Sequence, residues 1–169
     1  MNPARFRAVL ALAAALVALA VPGRAHAQWY MMESFAYANK CMDNAGGSLT
    51  GGNNLVLYPC QSSVNQYFQR ISDGHVVVQM GQTNSSGYQF CMDYYPSNGS
   101  IGSTVKIWPC RPLTGPSDSQ HWYYLGSNQF MGGSGNCVSA PSSTNASVLK
   151  MAACNASSPP ANTRWKART

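Results

Sequence analysis

Few residues of this chain are equipped for chemistry, and those few are unevenly placed. Its 169 residues hold five carboxylates (Glu33, Asp43, Asp73, Asp93 and Asp118) and three histidines (His26, His75 and His121). Two of the aspartates recur in one context. Cys41-Met42-Asp43 runs on to Tyr58-Pro59-Cys60, and Cys91-Met92-Asp93 runs on to Trp108-Pro109-Cys110. An ionised carboxylate accepts hydrogen bonds from two neighbouring hydroxyls at once. Taken singly, such an aspartate caps a turn and such an aromatic half-buries at a strand end. Their joint recurrence favours recognition of a ligand.

Turnover is poorly supplied. Hydrolysis of a glycosidic bond needs two carboxylates facing each other across roughly 5 to 10 Å, and Asp43 and Asp93 belong to separate units. His75 lies in a strand-like run and His121 in the middle of Gln120-His121-Trp122, so no nucleophile–base set is discernible. The cysteines are separated by 19, 19 and 17 residues within their units, unlike the short pairs that clasp zinc. Neither catalysis, a metal nor a cofactor is expected.

What must position the two aspartates is a repeat. The first unit continues Leu55-Val56-Leu57-Tyr58-Pro59-Cys60 with Asn65-Gln66-Tyr67-Phe68. The second continues Val105-Lys106-Ile107-Trp108-Pro109-Cys110 with Ser119-Gln120-His121-Trp122. A third reads Cys137-Val138-Ser139, then Leu149-Lys150-Met151-Ala152-Ala153-Cys154, then Asn162-Thr163-Arg164-Trp165. The three units span about residues 28–72, 73–124 and 125–169. Their alignment selects the pairings Cys41–Cys60, Cys91–Cys110 and Cys137–Cys154. Each loop so closed is worth about 3 kcal/mol on a chain-entropy account.

The units read as short strands. Leu55–Tyr58 and Val105–Trp108 are rich in β-branched and aromatic residues and stop at proline. His75–Met80 follows a Ser72-Asp73-Gly74 turn and is the clearest strand. No stretch after residue 27 holds a long 3.6-residue apolar period, so the class is all-β. The third unit lacks a counterpart of the Val76–Met80 strand, and Trp29-Tyr30-Met31-Met32 is expected to fill that place by pairing near Trp165.

Residues 1–27 read as an export signal. Arg5 and Arg7 precede the uncharged run Ala8–Val21, and Ala25-His26-Ala27 offers a small-x-small cleavage site. The run is shorter than the roughly 20 residues that span a bilayer, so a secreted protein without a membrane span is expected. Without Arg5, Arg7 and Arg24 the formal +6 becomes +3, with the remaining basic residues scattered. That excludes the basic stripe of a nucleic-acid binder. Charged residues are 9% of the chain, so its polar surface rests on Ser, Asn, Gln, Gly and Tyr.

A Cys-x-Asp start, an aromatic-Pro-Cys end and a Gln-x-aromatic close, three times over, resemble the ricin-B-type (R-type) lectins across Gln28 to Thr169. The resemblance implies a β-trefoil of three lobes, with one sugar pocket per lobe and glycans as partners. It implies Tyr58 and Trp108 as platforms for the C–H face of a galactose-type sugar, and Asp43 and Asp93 as acceptors. Asn65 and Gln66 in the first unit, and Ser119 and Gln120 in the second, would supply the remaining polar contacts. Lys106, Tyr94 or Tyr95 would compensate for Ser119, which stands in place of asparagine. Val56 stands where the family often carries a polar residue. The third unit has Ser139 for the carboxylate and Ala152 for the aromatic, so it is expected to be silent. Phe68, Trp122 and Trp165 are expected in the core.

Two other binding roles fit the same fold: the cell-binding subunit of a multi-component toxin, and a protease-inhibitor-like protein-binding trefoil. Asn84, Asn98, Asn145 and Asn155 begin N-x-[ST] sequons, which act only in a eukaryotic secretory route.

Overall fold

The structure, a computed structural model, describes residues 28–82 and 89–169. The export signal and the sequon at Asn84 lie outside the described residues. Among the described residues, thirteen short strands fall into three sets. The first set is β1 (Tyr30–Ser34), β2 (Lys40–Asn44), β3 (Asn53–Pro59) and β4 (Tyr67–Arg70). The second is β5 (Val76–Val78), β6 (Phe90–Tyr95), β7 (Thr104–Pro109) and β8 (Trp122–Tyr124). The third is β9 (Phe130–Gly132), β10 (Asn136–Ser139), β11 (Ser147–Val148), β12 (Lys150–Ala153) and β13 (Trp165–Arg168). The expected strand at His75–Met80 is shorter than read, because the chain turns into a 3-10 segment at Gln79.

Each set carries one hairpin, β2–β3, β6–β7 or β10–β12, closed by its disulfide, Cys41–Cys60, Cys91–Cys110 or Cys137–Cys154. Period-2 alternation sends one face of every hairpin inward. Met42, Leu55 and Leu57 meet Met92, Val105 and Ile107, and Val138, Leu149 and Met151, all 1% exposed or less. Phe68, Trp122 and Trp165, one per set, are 0% exposed beneath them. The indoles still satisfy their N–H groups, Trp122 Nε1 donating to Met92 O at 2.8 Å and Trp165 Nε1 to Val138 O at 3.1 Å. No lobe could bury its apolar face alone, so the three share one core.

The hairpins are stitched to one another in a ring. Gly52 N donates to Ile107 O, Gly102 N to Met151 O and Ala146 N to Leu57 O, at 2.8, 2.8 and 2.9 Å. Each repeat therefore rests its β2–β3-type turn on the outer strand of the next. The ends close as the sequence suggested: β1 pairs antiparallel with β13, setting Ser34 opposite Trp165 and Met31 opposite Arg168.

Candidate functional site

The repeat places its chemistry through hairpin register. In β2–β3, Cys41 lies opposite Tyr58 and Asp43 opposite Val56. In β6–β7, Cys91 lies opposite Trp108 and Asp93 opposite Lys106. Residues two apart share a face, so disulfide, carboxylate and aromatic stand together on the side turned away from the core. The Cys-x-Asp and aromatic-Pro-Cys spacings are thus two views of one surface.

In the first lobe this surface forms a cleft of about 240 Å³, lined by Asp43, Val56, Tyr58, Asn65 and Ala146 among others. Asp43 is 6% exposed. Its Oδ2 accepts from Gln66 Nε2 at 2.8 Å, while Oδ1 accepts from no described residue. Burial pushes the Asp43 carboxyl up from its ordinary value, against the opposing hydrogen bond from Gln66. The Asn65 amide makes no hydrogen bond to a described residue and rests beside Gly47, where an added Cβ would lie 3.0 Å from its Oδ1. A carboxylate oxygen and an amide with vacant capacity, next to a phenol ring, suit a ligand that offers neighbouring hydroxyls and a C–H face.

The second lobe has a cleft of the same size, lined by Asp93, Tyr95, Trp108, Arg111 and Ser119 among others. Asp93 is held more fully, with Oδ1 accepting from Tyr94 N at 2.7 Å and Oδ2 from Gln120 Nε2 at 3.0 Å. Each oxygen keeps a further lone pair. Trp108 is 39% exposed, far more than the buried indoles Trp122 and Trp165.

Arg111 belongs to this cleft, and the sequence reading missed it. It directly follows Pro109-Cys110, where the first unit has Gln61, and a cation in so weakly charged a chain was the available signal. Arg111 Nη1 donates to Asp118 Oδ2 at 2.5 Å and Nη2 to Ser119 Oγ at 2.9 Å. Asp118 also accepts from the backbone N–H of Thr114 and Gln120 and from the Thr114 hydroxyl. Burial alone would raise the Asp118 carboxyl, but these donors, Arg111 foremost, hold it well below the usual carboxylate range.

Several of the expected contact residues are held by the protein itself. Gln66 and Gln120 are 0% exposed, and Gln120 forms part of the wall of the second cleft. Each holds its aspartate from behind: Gln66 also donates to Pro59 O and accepts from Gln61 N, and Gln120 donates to Pro109 O and accepts from Arg111 N. Tyr94 is buried, its ring edge-on to Trp122 at 5.5 Å and its hydroxyl accepting from Ser134 N. Lys106 turns to the neighbouring lobe, donating to Gly52 O at 3.0 Å and Asn54 Oδ1 at 2.8 Å. Of the suggested compensators for Ser119, Tyr94 and Tyr95 both line the cleft, and Tyr95 is the exposed one, at 60%. Ser119 itself is 5% exposed beneath Arg111.

At the third position Ser139 and Ala152 leave neither carboxylate nor platform, and Ser139 Oγ accepts from Asn162 Nδ2 at 3.1 Å. Among the described residues no cluster of His, Cys, Asp and Glu could hold a metal ion, and no helix is long and apolar enough to cross a membrane.

Comparison with solved structures agrees with the architecture. The designed threefold-symmetric protein ThreeFoil superposes with a TM-score of 0.65 at 19% identity, over 82% of this chain and 96% of that one. The C-half of an earthworm R-type lectin in complex with GalNAc gives 0.64 at 14% identity, over 83% and 97%. A non-toxic type II RIP homologue from Momordica charantia, in complex with α-methyl-D-galactoside, gives 0.62 at 21% identity, over 83% of this chain and 47% of that one. At such identities the likeness speaks for the β-trefoil fold. No curated protein sequence matches. The ricin-type beta-trefoil lectin domain profile matches residues 28–165. The chain belongs to the ricin-type β-trefoil lectin domain family.

Proposed function

We propose that this protein is a secreted lectin that binds galactose-type glycans through the clefts of its first two lobes. Membership of a lectin domain family supports carbohydrate binding. The observation that carries the site assignment is Asp43, fixed by Gln66 from behind with no described donor to Oδ1, sharing one cleft with Tyr58 and Asn65. The second cleft repeats the design with Asp93 and Trp108. Galactose-type ligands are favoured because two proteins of like fold are seen with GalNAc and α-methyl-D-galactoside. Secretion is supported by three disulfides, which persist in oxidising compartments.

Such shallow clefts bind one sugar weakly, since ordering and desolvation consume most of the gain. Two on one rigid body gain by avidity on a multivalent glycan. A glycan array probed with residues 28–169 tests this reading. Signal concentrated on galactose- or GalNAc-terminated glycans is the expected outcome, and signal independent of such termini contradicts it.

A further inference from the structure

The Trp108 indole of the second cleft leans on the neighbouring lobe. Trp108 lies across the turn of the first lobe: a Cβ added to Gly51 would sit 2.8 Å from Trp108 Cε3 and 3.0 Å from Cζ3, and one on Gly52 would sit 3.2 Å from Cζ2. The two glycines therefore reach opposite edges of the six-membered ring, so close that a side chain at position 51 would have to displace the indole. Gly52 adopts φ +89°, as glycine readily does, but Gly51 has no such backbone requirement. Space alone demands glycine at position 51.

The threefold hydrogen bonds identify the equivalent positions. Gly52, Gly102 and Ala146 donate to Ile107, Met151 and Leu57, each the residue before a platform position. The residues preceding those donors are Gly51, Ile101 and Asn145, and the platform positions are Trp108, Ala152 and Tyr58. Only at the first of these seams does the preceding residue lie against the platform position, since Ile101 and Asn145 are exposed.

We propose that Gly51 is a positioning and specificity residue of the second cleft, contributed by the neighbouring lobe, which seats the Trp108 indole as the face against which the sugar ring packs. This rests on the sugar reading of the Asp93 cleft. Any side chain at 51 lifts the indole toward the ligand and narrows the cleft beside Asp93. Gly51 thereby sets how bulky a sugar the second cleft admits.

The test uses the Asp43→Ala protein, in which the second cleft is read alone by calorimetric titration with methyl α-D-galactoside. Gly51→Asn is expected to weaken binding about tenfold. Adding the smaller ring of Trp108→Tyr to Gly51→Asn is expected to restore affinity to within about threefold. In sugar-free protein, the Gly51 Hα resonances, shifted by the indole ring current, are expected to move on Trp108→Ala. Asp93-dependent binding that ignores Gly51→Asn, or a loss that Trp108→Tyr does not repair, overturns the proposal alone. If Asp93→Ala leaves binding in this background unchanged, the sugar reading of the cleft is contradicted, and the proposal falls with it.

Discussion

Gln66 donates through Nε2 to Asp43 Oδ2 at 2.8 Å, and the same relationship recurs between Gln120 and Asp93 at 3.0 Å. A fully buried amide thus fixes each cleft carboxylate at a chosen angle, leaving Asp43 Oδ1 with no described donor while Tyr94 N also holds Asp93 Oδ1. The glutamine belongs to the repeat's closing motif, so the packing that seats Phe68 or Trp122 in the core also aims the aspartate in the cleft. Scaffold and site are joined through one side chain.

Replacing that amide by an apolar isostere separates the two roles. Gln66→Met keeps the volume but leaves Asp43 Oδ2, Pro59 O and Gln61 N without their partner. Stability is expected to fall on the order of 1–3 kcal/mol, read by urea unfolding. First-cleft affinity should fall with it in an Asp93→Ala background. Unchanged stability and affinity would mean that the amide is dispensable.

Asp43 gives the first cleft its pH dependence. Its folded pKa is raised by burial above the ordinary 3.8, in spite of Gln66. The ligand needs the ionised form, so affinity in the Asp93→Ala protein should fall as pH drops, with a midpoint above 3.8. The stability contribution has the opposite trend: a raised folded pKa adds stability below the unfolded value, and this is lost as pH rises through the folded one. Titrations with methyl α-D-galactoside at stepped pH check the first statement, and an affinity flat down to pH 3.8 contradicts it.

Asp118 should show the reverse. Its folded pKa is depressed, since the Arg111, Thr114 and Gln120 donors outweigh burial. The stability it contributes is present above the unfolded value of 3.8 and is lost as pH falls through the folded pKa. Asp118→Asn is expected to cost on the order of 1–3 kcal/mol at neutral pH, with the gap to the parent closing in acid. Urea unfolding across the acid range reads both, and a gap that persists undiminished in acid argues against the pairing.

The third lobe should matter to the fold and not to binding. Replacing Cys137 and Cys154 together by alanine opens a loop whose closure is worth about 3 kcal/mol. Thermal unfolding should come earlier while galactoside affinity and stoichiometry below the transition stay those of the parent. Loss of a binding equivalent in the folded variant would reveal a ligand role for this lobe.

The repeat made the scaffold readable in advance. Three aligned cysteine pairs imply three equivalent hairpins, and alternation in Leu55–Tyr58 or Val105–Trp108 tells which residues face inward. The closing of β1 on β13 was expected because no third counterpart of the Val76–Met80 segment follows Trp165 in the repeat, and β1 pairs there instead. The site was only partly accessible. Asp43 with Tyr58, and Asp93 with Trp108, announce themselves by recurrence. Gln66 and Gln120 recur equally well, yet burial makes them supports, and a motif does not say which side of a carboxylate its neighbour occupies. Arg111, Asp118 and Gly51 have no matching residue types in the other units, so self-comparison passes over them. Each acts through a contact set by tertiary packing, with Asp118 and Ser119 for Arg111 and with Trp108 for Gly51.

The most direct test of the central claim is the stoichiometry of methyl α-D-galactoside binding by calorimetry in four proteins: the parent, Asp43→Ala, Asp93→Ala and the double variant, each verified as folded. Two clefts predict two equivalents for the parent, one for each single variant and none for the double. A double variant that binds as the parent does would contradict the assignment of both clefts.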